Sequence, residues 1–504
     1  MSLLLSFADV GGQNTHAGML ACDSTHFQDP DYSMHLHRKY FALCAALLLA
    51  AVTNLNAQKV AVYRTTPDLT LALHKEHQLS FAAAPAAETN ITVDDTKRFQ
   101  TMDGFGAAMT DSSAWLLEEQ LTAAQRRAVM RKLFDLRHGI GVSFVRVPLG
   151  ASDLSRNHYS YDDMPAGQSD PGLQHFSIDH DREYILPALQ QALKIDPAIS
   201  IMVTPWSAPA WMKTKDSMNG GQLRADVGKD FADYLTRTVS GYEKAGVPVK
   251  YLSLQNEPLY ETKDYPGTLM HADQETALIH NYVGPALHDA GLKTSILAYD
   301  HNWDHPEYPL EVLSDPVAAQ YVAGSAFHCY GGNVSAQGPV HDRFPDKGLW
   351  MTECSGGSWQ KGNLLVATEK LVIESSREWA KSVVLWGLAL DEKNGPFAGG
   401  CKTCRAFVTI NRANEKHTVS YTADFYAIGQ ASEFVRPGAV RIDSSDLGAK
   451  SLETVAFENT DHSVALLVLN NAATVTKFSV SWHGKSIQTS LAAGSVATYS
   501  WSAQ

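Results

Sequence analysis

Between Phe99 and about Gly429, eight short β-rich runs alternate with helical stretches, and this rhythm limits the possible folds more than any single residue does. The runs are Gly104 to Ala108, Phe144 to Leu149, Ile199 to Trp206, Tyr251 to Glu257, Ser295 to Asp300, Ser325 to Tyr330, Leu349 to Glu353 and Val383 to Leu390. The stretches between them include Ala123 to Phe134, Glu183 to Lys194, Gly228 to Ala245, Ala272 to Ala290 and Glu369 to Trp379, with apolar residues near the helical period. A helix after each strand requires parallel pairing, and eight such units close into a (β/α)8 TIM barrel. In that architecture the C-terminal strand ends share one rim, where side chains from several strands converge.

Two runs end in a glutamate. The fourth, Tyr251-Leu-Ser-Leu-Gln-Asn-Glu-Pro258, finishes in three polar groups that cannot be buried without partners, and Pro258 cannot extend a ladder. The seventh delivers Glu353 into the Gly-rich exit Cys354-Ser-Gly-Gly357. Read singly, each is a solvated glutamate closing a strand. Read together, two carboxyl groups on facing strand ends suit glycoside hydrolysis, which needs one acid to protonate the leaving oxygen and a second to attack or to activate water, with neither cofactor nor metal.

Other strand ends are polar or aromatic too: Asp111, Arg146 and Asp153, Trp206, Asp300, His328 and Tyr330, and Trp386. Each has a plainer reading; Arg146 neutralises buried carboxylates, and His328 is a satisfied core histidine. Asp300-His-Asn-Trp-Asp-His305 offers an alternative, metal-dependent hydrolase, although no second acidic set accompanies it.

After Gly429 alternating strands and tight turns replace the helices: Ala439 to Asp443, Leu452 to Glu458, Ser463 to Asn470, Thr476 to Trp482 and Ser495 to Trp501. Residues 430–504 make a thin β-sandwich, so the strand-like pieces of 58–93 (Val60 to Tyr63, Leu69 to Leu73, Leu79 to Ala82) are expected to complete its sheets beside a barrel over 94–429. A basic n-region at His35 to Lys39 and an apolar run to Val52 give residues 34–57 the pattern of an export signal cut near Ala57. Residues 1–33 then read as a spurious extension. No later stretch could span a bilayer. Export permits disulfides: Cys401-Lys-Thr-Cys404 is expected to form a local bridge, while Cys329 and Cys354 are either bridged or two buried thiols. A net charge of −13 without a Lys/Arg block argues against nucleic acid and anionic membranes as partners, and ten Trp with nineteen Tyr suit sugar stacking.

The motifs Gly104-Phe-Gly-Ala-Ala-Met-Thr-Asp111, Arg146-Val-Pro-Leu-Gly-Ala-Ser-Asp153, Thr204-Pro-Trp-Ser-Ala-Pro-Ala-Trp-Met212, Asn256-Glu-Pro258 and Thr352-Glu353 occur in an order that resembles glycoside hydrolase family 30. The resemblance implies a retaining β-glycosidase acting on a β-linked glucoside or glucan, with Glu257 as acid/base and Glu353 as nucleophile. It implies sugar contacts from Asp153, Trp206, Asn256, His328, Tyr330 and Trp386, with Arg146, Asp111 and Asp300 in support. One departure concerns the cleft: the glucosylceramidases of the family carry Gly-Pro-Asn after strand eight, whereas this chain reads Asn394-Gly-Pro-Phe397 and then Gly399-Gly-Cys-Lys-Thr-Cys404. Competing expectations are a carbohydrate-binding protein without turnover, and specificity for xylose, fucose or galactose.

Overall fold

The computed structural model describes residues 58–503 except Ala84, Asn414, Ala449 and Lys450, so the expected leader at 34–57 and the extension before it lie outside the described residues. Eight parallel strands close a barrel in sequential order. They are Gly104–Ala108, Phe144–Leu149, Ser200–Pro205, Tyr251–Leu252, Ser295–Asn302, Val322–His328, Gly348–Glu353 and Ala380–Leu385.

Strand alternation sorts their residues into two sets. Phe144, Met202, Tyr251, Leu297, Ala326, Trp350 and Val384, one from each of strands two to eight, form a separate cluster in the barrel interior. Their neighbours of opposite parity, such as Val145, Ile201, Leu252, Phe327, Met351 and Val383, join the larger core shared with the helices. Asp103 closes the lower end of the interior cluster, accepting from Tyr251 Oη at 2.7 Å and Trp350 Nε1 at 2.8 Å. Two positions toward the strands' C-terminal ends from that apolar layer stand Arg146, Thr204, Ser253, His328, Thr352 and Trp386, all buried. The barrel is therefore apolar in the middle and polar at the top.

Strand four was expected to run to Glu257, but its regular pairing spans only Tyr251–Leu252. The chain still follows its neighbours, with Asn256 N–H on the Pro205 carbonyl at 2.9 Å and Glu257 N–H on that of Asp300 at 3.0 Å. Glu257 itself has φ +46°, which regular strand pairing cannot accommodate. The eighth run divides into Ala380–Leu385 and Ala389–Asp391 because Gly387, at φ +90°, turns the chain between them. The helix expected from Glu369 starts earlier, at Leu364, where the Asn363 side chain caps it.

The C-terminal strands and the N-terminal segment share one sandwich. Its strands follow the spatial order His74–Lys75, Lys59–Thr65, Val496–Ser502, Ser463–Asn470, Leu452–Glu458, Val440–Ser444, Asn90–Thr101, Thr476–Trp482, Lys485–Leu491. Asn90–Thr101 pairs with Val440–Ser444 along most of its length and with Thr476–Trp482 at its start, carrying the sheet round a core of Val60, Ile91, Leu466, Phe478 and Trp501. Leu69 to Leu73 is turn rather than strand: both leucines have positive φ, and the Asp68 and Thr66 side chains bond the backbone N–H groups of Thr70 and Leu71. Lys485–Leu491 is a strand that the sequence reading missed. Only Ile487 and Leu491 in it are apolar, and the His483-Gly484 turn pairs it directly with Thr476–Trp482.

The helix Leu364–Arg377 packs on the sandwich, where Lys370 Nζ meets Glu453 at 3.2 Å and Arg377 donates to the Thr454 carbonyl at 3.0 Å. Its inner face also buries Glu369 completely, with no hydrogen-bond partner on either carboxyl oxygen among the described residues. Burial pushes this acid well above its ordinary value. The folded chain thus keeps a proton that the unfolded chain releases above about pH 4.3, so this contribution is full below that pH and is lost at ~1.4 kcal/mol per unit as the pH rises toward the folded value. Glu369→Gln should leave the melting temperature near pH 4 unchanged and raise it at pH 8; parallel melts of both proteins at the two pH values test this.

Candidate active site

A cleft of about 280 Å³ opens at the C-terminal ends of the barrel strands, lined by Asp153, Trp206, Asn256, Glu257, Tyr260, Tyr265, His301, Asn302, Tyr330, Glu353, Trp359, Trp386, Cys401 and Cys404. Its floor rests on the Arg146 guanidinium, fully buried in the upper layer of strand two. Nη1 donates to Glu353 Oε2 at 2.5 Å, while Nη2 donates to Asn256 Oδ1 at 2.6 Å and to Asp300 Oδ2 at 2.7 Å. The Trp206 ring lies 4.8 Å from its carbon centre. Because Asn256 Oδ1 faces Arg146, the amide N–H₂ is left without a partner among the described residues.

Asp300 anchors the other side of this network. It accepts from Ser253 Oγ at 2.7 Å, Thr204 Oγ1 at 3.2 Å, Thr352 Oγ1 at 2.7 Å and His328 Nε2 at 3.1 Å. Against the cost of burial, Arg146 and then His328 hold its carboxyl far below the usual range. Asp300 stands three positions after Leu297 instead of two, and the extra residue is taken up where Tyr299 and Asp300 both adopt positive φ, at 78° and 60°. That irregularity turns Asp300 into the barrel.

Glu257 and Glu353 meet across the cleft. One carboxyl oxygen of each, and a ring nitrogen of His328, lie within 4.8 Å of one another. Tyr330 Oη donates to Glu353 Oε1 at 2.9 Å, and His328 Nδ1 lies 3.2 Å from Glu257 Oε1. Such spacing could admit a cation, but both His328 nitrogens and both Glu353 oxygens already have partners, so a metal would have to break that set. Burial raises both carboxyls. For Glu257 the hydrogen bond and charge of His328, with His301 and Arg146, outweigh burial and bring it below its ordinary value. For Glu353 burial, joined by the charges of Glu257 and Asp300, prevails over His328 and Arg146 and leaves it above.

Despite burial, the surrounding carboxylates, Glu353 first, then the bonds to Asp300 and Glu257, raise His328 to about 9. The lowered Glu257 and the raised His328 describe one proton on one hydrogen bond. On Nδ1 it makes an imidazolium beside a carboxylate; on Oε1 it makes a carboxylic acid beside a neutral imidazole. Nε2–H donates to Asp300 in both forms.

Trp206 and Trp386 stack at 4.9 Å between centroids and wall the cleft. Asp153 accepts from Trp386 Nε1 at 3.3 Å and from the Cys401 N–H at 3.4 Å. Burial, then the charge of Glu353, pushes it up to about 7. Two disulfides brace these walls. Cys329–Cys354 joins the residue after His328 to the residue after Glu353, and Cys401–Cys404 closes a turn in the loop after strand eight.

The structure thus gathers Arg146, Asp153, Trp206, Asn256, Glu257, Asp300, His328, Tyr330, Glu353 and Trp386. Asp111 is not among them: it starts the helix after strand one and is held by Arg156 at 2.9 Å. His328 was expected to touch sugar, but it is fully buried and spends both nitrogens on Glu257 and Asp300, so it positions acids. The run Asp300 to His305 does not converge. His301 reaches the cleft 4.0 Å from Glu257, whereas Trp303 is bonded to Gln337 and His305 to Glu307. Tyr260, Tyr265 and Trp359 were not singled out from the sequence, because they stand on irregular loops without periodicity, and His301 and Asn302, which end the fifth barrel strand, were read only as part of a metal-binding run.

The model of the glycosyl hydrolase family 30 TIM-barrel domain matches residues 102–435, and that of the family 30 beta sandwich domain matches 438–499. The chain is 33% identical over 420 residues to endo-1,6-beta-D-glucanase neg1 of Aspergillus fumigatus, covering 77% of this chain and 83% of that protein. It is 29% identical over 460 residues to lysosomal acid glucosylceramidase of Mus musculus, covering 85% and 87%. Among solved structures, the endo-beta1,6-glucanase BT3312 superposes with a TM-score of 0.83 at 33% identity, covering 88% of this chain and 100% of that one.

Removing the guanidinium strands Asp300 and Glu353 as buried, unpaired charges. Arg146→Met is expected to cost about 3–5 kcal/mol of stability. Arg146→Lys, a point charge without the fork, should recover only part of it; denaturant unfolding of both variants measures the two steps.

Proposed function

Because this chain belongs to glycoside hydrolase family 30 and is an O-glycosyl hydrolase, we propose that it cleaves β-1,6-linked glucan with retention, using Glu353 as nucleophile and Glu257 as acid/base. The observation that carries the proposal is the approach of the two carboxyls to within 4.8 Å in unlike surroundings. Retaining enzymes hold the pair about 5–5.5 Å apart, and the inverting gap, which must admit a water, is wider. Glucan is preferred over a glucosyl lipid because three fungal endo-1,6-beta-D-glucanases are each 33% identical to this chain, against 27–30% for the glucosylceramidases.

In the reaction, the proton of the Glu257–His328 pair moves to the glycosidic oxygen as Glu353 attacks the anomeric carbon. Arg146 fixes Oε2 of the nucleophile from beneath, and Tyr330 holds Oε1 at the cleft wall. Desolvation of its hydroxyl end in the cleft, with the charges of Glu353 and Glu257, pushes the Tyr330 phenol well above its ordinary value, so it stays a donor throughout. The Asn256 amide is free to donate to the 2-hydroxyl, a contact that tightens as positive charge develops on the sugar. Esterification of Glu353 removes its negative charge from the Glu257–His328 pair. That pair, now deprotonated, takes a proton from the water that releases the glycosyl-enzyme. The two disulfides also support reading residues 34–57 as an export signal, since such bonds persist in oxidising compartments.

Two experiments test the proposal. Glu353→Gln should lose at least about 10⁴-fold in kcat on gentio-oligosaccharides, and azide should rescue Glu353→Ala with inversion and Glu257→Ala with retention of the β-configuration. Preferred cleavage of a glucosyl lipid, or rescue in the opposite sense, would refute the assignment. The pH profile supplies the second. Its acid limb follows ionisation of Glu353, above the usual glutamate range, and its alkaline limb follows loss of the shared proton near pH 9. His328→Gln leaves Glu257 to hold that proton alone and should move the alkaline limb of kcat/KM down by about a unit or more.

A further inference from the structure

We propose that Tyr260 and Trp359 form the subsite for the leaving-group sugar, each offering an aromatic face to the glucose ring beyond the scissile bond; this rests on the β-1,6-glucanase reading above. The described residues include six large hydrophobic side chains that are exposed, and three of them, Tyr260 at 50%, Tyr330 at 40% and Trp359 at 52%, line the one cleft. Tyr330 has its hydroxyl committed to Glu353. Among the described residues the side chains of the other two have no hydrogen-bond partner.

Depth assigns them their side of the bond. Asp153, Trp206, Asn256, Glu353 and Trp386, which surround the attacked carbon, are each at most 7% exposed, so the transferred sugar occupies the floor. Whatever is attached through the glycosidic oxygen must extend outward. The oxygen lies on the Glu257 side, because Glu257 protonates it. Tyr260 is one turn beyond that acid, its N–H bonded to the Glu257 carbonyl at 2.8 Å.

Trp359 is presented by the loop that follows Glu353, and that loop is strapped to the loop after strand eight. The Arg405 side chain donates to the Gly357 carbonyl at 3.2 Å and to Gln360 Oε1 at 2.5 Å, its N–H bonds the Gly356 carbonyl at 3.1 Å, and Ser358 Oγ bonds Thr403 Oγ1 at 3.1 Å. Cys401–Cys404 closes the partner loop immediately before Arg405. Gly357 lies flat on the indole: a Cβ there would stand 2.1 Å from Cζ3. One ring face is therefore fixed against backbone, and the cleft receives the rest of the side chain. Neutral aromatic faces bind the C–H faces of a sugar without imposing a hydroxyl pattern, which suits a repeating glucan.

Gentiotriose and β-glucosyl fluoride, whose leaving group is a single atom, separate this role from that of the floor. Trp359→Ala and Tyr260→Ala are each expected to lower kcat/KM on gentiotriose about tenfold, mainly through KM, and the double variant about a hundredfold. Trp359→Tyr and Tyr260→Phe should recover most of the loss. On the fluoride all variants should change by less than about threefold. Equal losses on both substrates, or none on gentiotriose, overturn the subsite while leaving the glucanase reading intact. A wild-type enzyme that hydrolyses the fluoride but not gentiotriose overturns the β-1,6 reading, and with it the sugar assigned to these rings.

Discussion

The site depends on placing one guanidinium where no water can reach it. Arg146 occupies the polar layer of the barrel, and three acceptors from three other strands converge on it: Asn256, Asp300 and Glu353. An isolated charge in that position would be prohibitively costly, and so would either carboxylate without it. The mutual requirement fixes register, because a slip of one residue in strand two would send Arg146 into the helix layer and strand both acids. The same contact orients the nucleophile and sets the amide of Asn256, so packing and chemistry impose one geometry.

His328 extends the network from Asp300 to Glu257 through a single imidazole. Asp300 is thereby linked to both acids of the cleft, to Glu353 through Arg146 and to Glu257 through His328, without touching either. Neither link tolerates much motion. Cys329–Cys354 pins the exits of strands six and seven beside His328 and Glu353, closing a 25-residue separation worth roughly 3 kcal/mol in chain entropy.

Much of this was legible in the sequence because two-residue alternation is a strict geometric rule. Positions 144 and 146, 326 and 328, 350 and 352, and 384 and 386 point inward together, so the apolar residue of each pair predicts where the polar or aromatic one must face. The rule fails where the backbone leaves the strand. Asp300 reaches the barrel only through the irregularity at Tyr299, and Glu257 through its positive φ, neither of which leaves a periodic trace. His328 left two readings open for a different reason: its parity puts it in the barrel, but depth within the barrel is set by strand stagger, which alternation alone does not reveal. Tyr260 and Trp359 stand on loops, where position follows from contacts distant in sequence, such as Arg405 with Gly357 and Gln360.

The loop after strand eight forms one wall of the cleft, and Gly399 and Gly400 explain how closely it packs there. Gly399, at φ +83°, would drive a Cβ to 1.7 Å from the Asp264 carbonyl, and one on Gly400 would come 1.9 Å from Asp153 Cβ. The loop therefore runs directly along Asp153, placing the Cys401 N–H on its carboxyl and the disulfide in the cleft wall. An Asp153 enclosed in this way, its carboxyl pushed up to about 7, is open both to the protonated form that donates to sugar hydroxyls and to the ionised form that accepts from them. Lining this wall with backbone and a disulfide makes it a fixed contact. The aromatic rim beyond it is then left to accommodate whatever varies in the leaving group.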